Sequence, residues 1–242
     1  MTADTATLTV PQRFCGPPRS ANGGYLAGRL ARHLDGEAAV VTLRQPPPLE
    51  AAMRVESTGA GARLLFGGAL VAEAAPTTLP EDLVEPISFV QAEAAAAAYA
   101  GRFAHPFPSC FVCGVDREAG DGMLLAPGQV PERPGTVAAP WVPDASLGTA
   151  GEVAPEFVWA ALDCPGGWAV DLVGRPMVLG RMSAALDAVP YVGERCVVMG
   201  QARRAEGRKT FTATTLYDGD GRVLARAVAV WITVDPATLG AR

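Results

Sequence analysis

The chain alternates between helical and strand-like hydrophobic patterns. Residues 21–34, ANGGYLAGRLARHL, set apolar side chains at helical spacing behind a glycine pair and predict a helix. AVVTLRQPPPL (39–49) is β-branched and then broken by prolines, MRVEST (53–58) alternates, and ARLLFGGALVAEAA (62–75) reads as a hairpin turning at Gly67-Gly68. Residues 76–108 change character: a proline-rich acidic stretch leads into ISFVQAEAAAAAYAGRF, whose alanines predict a helix by propensity. Beyond Ser109, GMLLAPGQV and GTVAAPWV predict short strands. APEFVWAALDC (154–164) predicts a helix opened by Pro155 and Glu156, which Pro165-Gly166-Gly167 should break or kink. RPMVLGRMSAAL, ERCVVMGQARRAE, RKTFTATTLYDGDG and RVLARAVAVWITV then predict four strands, with DGDG (218–221) as the clearest turn.

The two ends of the chain repeat this order: helix, strand, proline, strand, hairpin. PPLEAAMRVE (47–56) lies over VPYVGERCVV (189–198), with Pro48 on Pro190 and Val55 on Val197, and GALVAEAA (68–75) lies over GRVLARAV (221–228). An internal duplication follows, giving an N-terminal repeat over 1–75, a linker with an alanine-rich helix over 76–108, and a C-terminal repeat over 109–242. A helix followed by antiparallel strands is an α+β pattern.

The net charge is −5, and no basic stripe marks a nucleic-acid surface. No apolar run is long enough to span a bilayer, and the N-terminus lacks a basic start followed by an apolar stretch. The expectation is a soluble, cytoplasmic protein that neither enters a membrane nor binds nucleic acid. Five widely spread cysteines argue against a disulfide framework. Cys110 and Cys113 form a CxxC pair; zinc wants four ligands, His105 could supply a third, and no fourth lies nearby in sequence. The pair is therefore read as reduced and structural, with no metal and no cofactor expected. His33 and His105 are the only histidines, which leaves a Ser-His or Cys-His catalyst poorly supplied with bases.

Gly23 and Gly24 each cost a helix start roughly 1 kcal/mol relative to alanine. They imply either a close backbone approach or N–H groups left free for a ligand. NGGYLAGRLARHL resembles the HGG helix start of the phenylacetate-pathway and 4-hydroxybenzoyl-CoA thioesterases. CFVCGVDREAGDGMLL looks like the CxxCG…GL lead-in found before many hotdog domains, and FVWAALDCPGGWA looks like their central helix with its acid. In this order the motifs resemble the hotdog-fold acyl-CoA thioesterase superfamily, in the tandem arrangement of the type II enzymes. The resemblance implies a double hotdog: two central helices, each wrapped by an antiparallel sheet, with the sheets joined as a pseudo-dimer. It further implies an acyl-CoA or other acyl thioester as partner, and association into a dimer or trimer.

In such proteins one hotdog supplies the glycine-rich helix start and the other the carboxylate. Asn22-Gly23-Gly24 occupies the first position, and Asp163 the second. The reciprocal positions hold Ala31 and Ala154-Pro155-Glu156, so the resemblance implies one complete site per chain. Within it, Gly24, with Tyr25, would offer N–H groups to an oxyanion and Gly23 would let the acyl group approach. Asn22 would orient the carbonyl or a water, and Asp163 would act as general base or nucleophile. The competing readings are a non-catalytic acyl-CoA or lipid-binding protein and a dehydratase or hydratase. The last normally needs a histidine beside the acid.

Overall fold

The computed structural model describes residues 5–58 and 60–235. The first part of the chain forms β1 (Thr5–Leu8), α1 (Gly23–Ala31), β2 (Ala38–Leu43), β3 (Met53–Thr58), β4 (Gly61–Phe66) and β5 (Ala69–Pro76). Next come α2 (Phe89–Ala97), β6 (Gly128–Gln129), β7 (Thr136–Trp141), the small pair β8 (Gly148–Thr149) and β9 (Glu152–Val153), and α3 (Pro155–Trp168). The last strands are β10 (Met177–Leu186), β11 (Cys196–Glu206), β12 (Lys209–Tyr217) and β13 (Val223–Thr233). The fold is α+β and mostly sheet. No helix among the described residues is long and apolar enough to cross a membrane.

Eleven strands form one antiparallel sheet in the order β1-β3-β4-β5-β2-β10-β13-β12-β11-β7-β6. The two strands that follow the main helices, β2 and β10, pair at its centre, from Arg181 opposite Thr42 to Ala185 opposite Ala38. Outward from that seam each half runs through the same succession, β5-β4-β3-β1 on one side and β13-β12-β11-β7 on the other. Alternation drives this pairing. On β2, Ala39 and Val41 are buried, and on β10 Met177, Leu179, Met182 and Ala184 are buried in the same hydrophobic core. That core contains α1 and α3 as well, which lie against one another on the sheet.

Glycine sets how close the two helices come. A Cβ on Gly24 would lie 2.6 Å from the Trp159 carbonyl oxygen and 2.6 Å from the Asp163 Cβ; one on Gly28 would lie 2.7 Å from the Glu156 Cα. Residues four apart share a helix face, so Gly24 and Gly28 form a stripe on which the α3 backbone rests. The helical cost of Gly24 is offset by this contact.

Two expectations fail. The predicted break at Pro165 does not occur, and α3 continues to Trp168. A proline inside a helix costs about 3 kcal/mol, but every residue from Glu156 to Trp168 is buried, and packing keeps the helix continuous past it. Gly166 and Gly167 serve this packing by admitting Thr212 and Trp231 from the sheet. GMLLAPGQV joins the sheet only at Gly128–Gln129. Its earlier residues pair instead with the CxxC segment, through Met123 N–H to the Phe111 carbonyl (2.8 Å) and Leu125 N–H to the Val112 carbonyl (2.9 Å).

The alanine-rich helix α2 is opened by Ser88 and Gln91 in a reciprocal capping box. Ala92 and Ala95 pack it on Val197, Met199 and Ala213 in a second, smaller core.

Candidate active site

The site begins at the first turn of α1. Asn22 caps the helix: its Oδ1 accepts the Tyr25 N–H at 2.9 Å. The other end of the same amide, Nδ2, donates to Asp163 Oδ2 at 3.0 Å. The Gly24 N–H donates to that same oxygen at 2.9 Å. Asn22 is 3 % exposed and Asp163 2 % exposed. Thus Asn22 and Gly24 form one buried cluster with Asp163, which lies 139 residues beyond Gly24, and the carboxylate sits at the positive end of a helix dipole.

The two carboxylate oxygens differ. Oδ2 has two donors, whereas Oδ1 is buried without a hydrogen-bond partner. Burial dominates the ionisation of Asp163 and raises its pKa to about 7, with the Gly24 N–H and Asn22 pulling the other way and Cys110 adding to the rise. Near neutrality the group is therefore poised between acid and base.

Asp163 lies on the wall of a cavity of about 660 Å³. Asn22, Gly23, Cys110, Cys113 and Cys164 also border it, and Leu43, Leu172, Met177, Leu179, Trp231 and Ile232 supply apolar lining. Gly23 borders this space, and its N–H has no hydrogen-bond partner among the described residues. A Cβ there would meet the Leu179 side chain at 2.9 Å and Leu43 at 3.2 Å.

Three details differ from the sequence-based picture. Gly24 does not border the cavity, and its direct bond to Asp163 leaves no gap for a substrate carbonyl between them. The Asn22 amide is engaged at both ends within the protein. Tyr25 is turned away from the cavity. Its ring stacks on Phe14 at 4.3 Å, and its hydroxyl accepts from Arg29 at 2.9 Å. Successive helix positions rotate by about 100°, so Tyr25 points well away from Gly23, into an aromatic cluster with Phe14, Phe111 and Phe157.

The reciprocal position beside Gly28 is filled. Glu156 sits there, 3.3 Å from Arg32 and 3.9 Å from Arg29. Neither histidine borders the cavity. His33 is exposed. His105 is half-buried, with Nδ1 accepting the Phe107 N–H at 2.9 Å and Nε2 lying 3.1 Å from the Cys113 carbonyl oxygen.

Sequence reasoning missed the company of the CxxC pair. Cys164 Sγ joins Cys110 and Cys113, and the three sulfur atoms lie within 4.8 Å of one another. The one available signal was that Cys164 directly follows the site acid.

No protein-family model matches the sequence, and no curated protein matches it. Solved structures do. The chain is similar to a protein described as a thioesterase from Novosphingobium aromaticivorans, at 12 % identity over 96 % of both chains and a TM-score of 0.62. It is also similar to the tesB protein of Mycobacterium avium subsp. paratuberculosis, at 11 % identity over 96 % of this chain and 93 % of the other, with a TM-score of 0.63. A hotdog-fold protein of Alicyclobacillus acidocaldarius matches at 12 % identity over 97 % of this chain and 96 % of the other, with a TM-score of 0.59. At these identities the likeness establishes the fold, and that fold is the hotdog.

Proposed function

We propose that the protein is a thioester hydrolase acting on acyl-CoA or a related acyl thioester, at one site between two hotdog repeats joined as a pseudo-dimer. The repeats are residues 1–75 and 109–242, with 76–108 linking them. The observation that carries this reading is Asp163, which borders a largely apolar cavity and whose Oδ1 is buried without a hydrogen-bond partner. The topology supports the pairing, because β2 and β10 join two strand successions of the same order.

Chemically, Oδ1 is the atom free to act. As a general base it takes a proton from water while the water oxygen attacks the thioester carbonyl. The carbonyl electrons move to oxygen, and collapse of that oxyanion breaks the C–S bond. The departing thiolate takes up the proton from Asp163, giving acid and thiol. Direct attack by Oδ1, forming an anhydride that water then opens, balances equally well. The Gly24 and Asn22 N–H groups fix the carboxylate through Oδ2. The oxyanion is assigned to the Gly23 N–H, which is unpartnered beside the cavity; such a donor is worth about 3 kcal/mol of barrier.

The occupied Gly24 N–H favours one second reading, a non-catalytic acyl-CoA or lipid carrier. Thiol release from short, medium, long and aryl acyl-CoAs tests both readings. Hydrolysis of at least one, abolished in Asp163→Asn with binding retained, supports the enzyme. Binding by the unaltered protein without turnover across the panel overturns it.

A further inference from the structure

The mechanism leaves three buried thiols beside Asp163 unused. We propose that Cys110, Cys113 and Cys164 are the ligands of a thiophilic divalent cation, zinc, whose fourth position opens to the cavity.

The spacing is the first argument. Cys110 Sγ and Cys164 Sγ are 3.8 Å apart, and all three sulfurs lie within 4.8 Å of one another. A zinc–thiolate bond of about 2.3 Å in a tetrahedral site puts neighbouring sulfurs about 3.8 Å apart. A disulfide would need about 2.05 Å. The sulfurs are thus disposed around a common centre.

The local backbone is the second. Cys110 to Gly114 form a tight turn closed by the Gly114 N–H on the Cys110 carbonyl at 2.9 Å. A Cβ at Gly114 would lie 2.4 Å from that oxygen and 2.5 Å from the Pro108 carbonyl oxygen, so the turn requires glycine. Asn22 Nδ2 lies 3.9 Å from Cys110 Sγ and 4.0 Å from Cys164 Sγ, a donor held in place by its capping bond. Second partners of this kind orient metal ligands and tune them.

Access and charge are the third. All three cysteines border the cavity, so a cation and a water can reach them. Metal binding displaces the thiol protons, leaving three thiolates around one divalent ion. Cys15 and Cys196 stand apart from the cluster; Cys15 is bonded to Ser109 and Arg117.

The test needs no substrate, so its outcome is separate from that of the hydrolase reading. Protein stripped with a chelator under reducing conditions is titrated with Zn²⁺ against a chromophoric competitor, and separately with Co²⁺. The expected results are about one equivalent bound per chain and intense thiolate-to-cobalt charge-transfer absorption of a tetrahedral site. Cys110→Ser, Cys113→Ser and Cys164→Ser should each weaken binding about a hundredfold or more, while Cys15→Ser and Cys196→Ser retain it. Should a serine variant fail to fold, alkylation of the unaltered protein decides. Zinc should protect Cys110, Cys113 and Cys164, and only those, in peptide mass mapping. Absence of stoichiometric binding, a cobalt spectrum without thiolate bands, unchanged affinity in a folded Cys164→Ser, or equal alkylation with and without zinc would each overturn the proposal.

Discussion

The Gly24 N–H and Asp163 Oδ2 are 2.9 Å apart across the crossing of α1 and α3. One glycine thus does two things: it lets the helices touch and holds the acid. Gly24→Ala must place a methyl group 2.6 Å from the Trp159 carbonyl, where backbone and not a flexible side chain is in the way. The helices then have to separate. We expect a loss of about 2–3 kcal/mol in urea unfolding together with loss of the proposed thioester hydrolysis. For Gly23→Ala the nearest atoms belong to the Leu179 and Leu43 side chains rather than to backbone. Its stability cost should be the smaller of the two, so that equal destabilisation by both variants would count against the glycine stripe.

Asp163 should trade stability for reactivity. Its carboxyl titrates near 7 in the folded protein, against about 3.8 for an unperturbed aspartate in an unfolded chain. Below pH 4 both states keep the proton and the residue costs nothing. Between 4 and 7 the unfolded chain releases its proton first, so the folded state holds more protons and stability falls as pH rises. The loss is about 4 kcal/mol across that window and is complete above it. Asp163→Asn removes the titration, and its amide oxygen still accepts from Gly24 and Asn22. Metal-free Asp163→Asn should therefore lack hydrolase activity yet gain stability over the unaltered protein at pH 8, with no such gain at pH 4. Denaturant unfolding at the two pH values reads the difference directly; a parallel offset at both would show that the acid is not strained by burial.

Much of this arrangement is legible in the sequence. The hairpin at Gly67-Gly68 and the turn at 218–221 follow from local glycine chemistry and alternating strands. The link between Gly24 and Asp163, which are 139 residues apart, was reachable only by laying the two repeats over one another. Other features were hidden for definite reasons. Pro165 stays helical because burial outweighs propensity. Tyr25 was grouped with its neighbours in the chain, although a helix turns neighbours to different faces. Cys164 stands 54 residues from Cys110, and no pattern spacing joins them.

Asn22→Ala should separate capping from catalysis. Losing the N-cap costs about 1 kcal/mol of stability. Asp163 also loses one of the two donors that lower its pKa, so its folded pKa rises further. The hydrolysis rate of the metal-free variant should then rise with pH along a curve displaced to higher pH, with the plateau rate largely recovered in alkaline buffer. An unshifted pH–rate profile would show that Asn22 serves the helix alone.

The apolar wall should set acyl length. Ile232 is half-buried on β13 and is one of the apolar residues that border the cavity. Ile232→Trp adds bulk within a space of about 660 Å³ without touching the hydrogen bonds of Asp163. Even one methylene more or less in an apolar pocket alters discrimination by about 10- to 200-fold. For a long acyl-CoA, kcat/KM should fall within that range, while a short acyl-CoA keeps its kcat because the carboxylate and the Gly23 N–H are undisturbed. Steady-state kinetics on the two substrates decides the matter. An equal loss on both would mean that the acyl chain lies elsewhere.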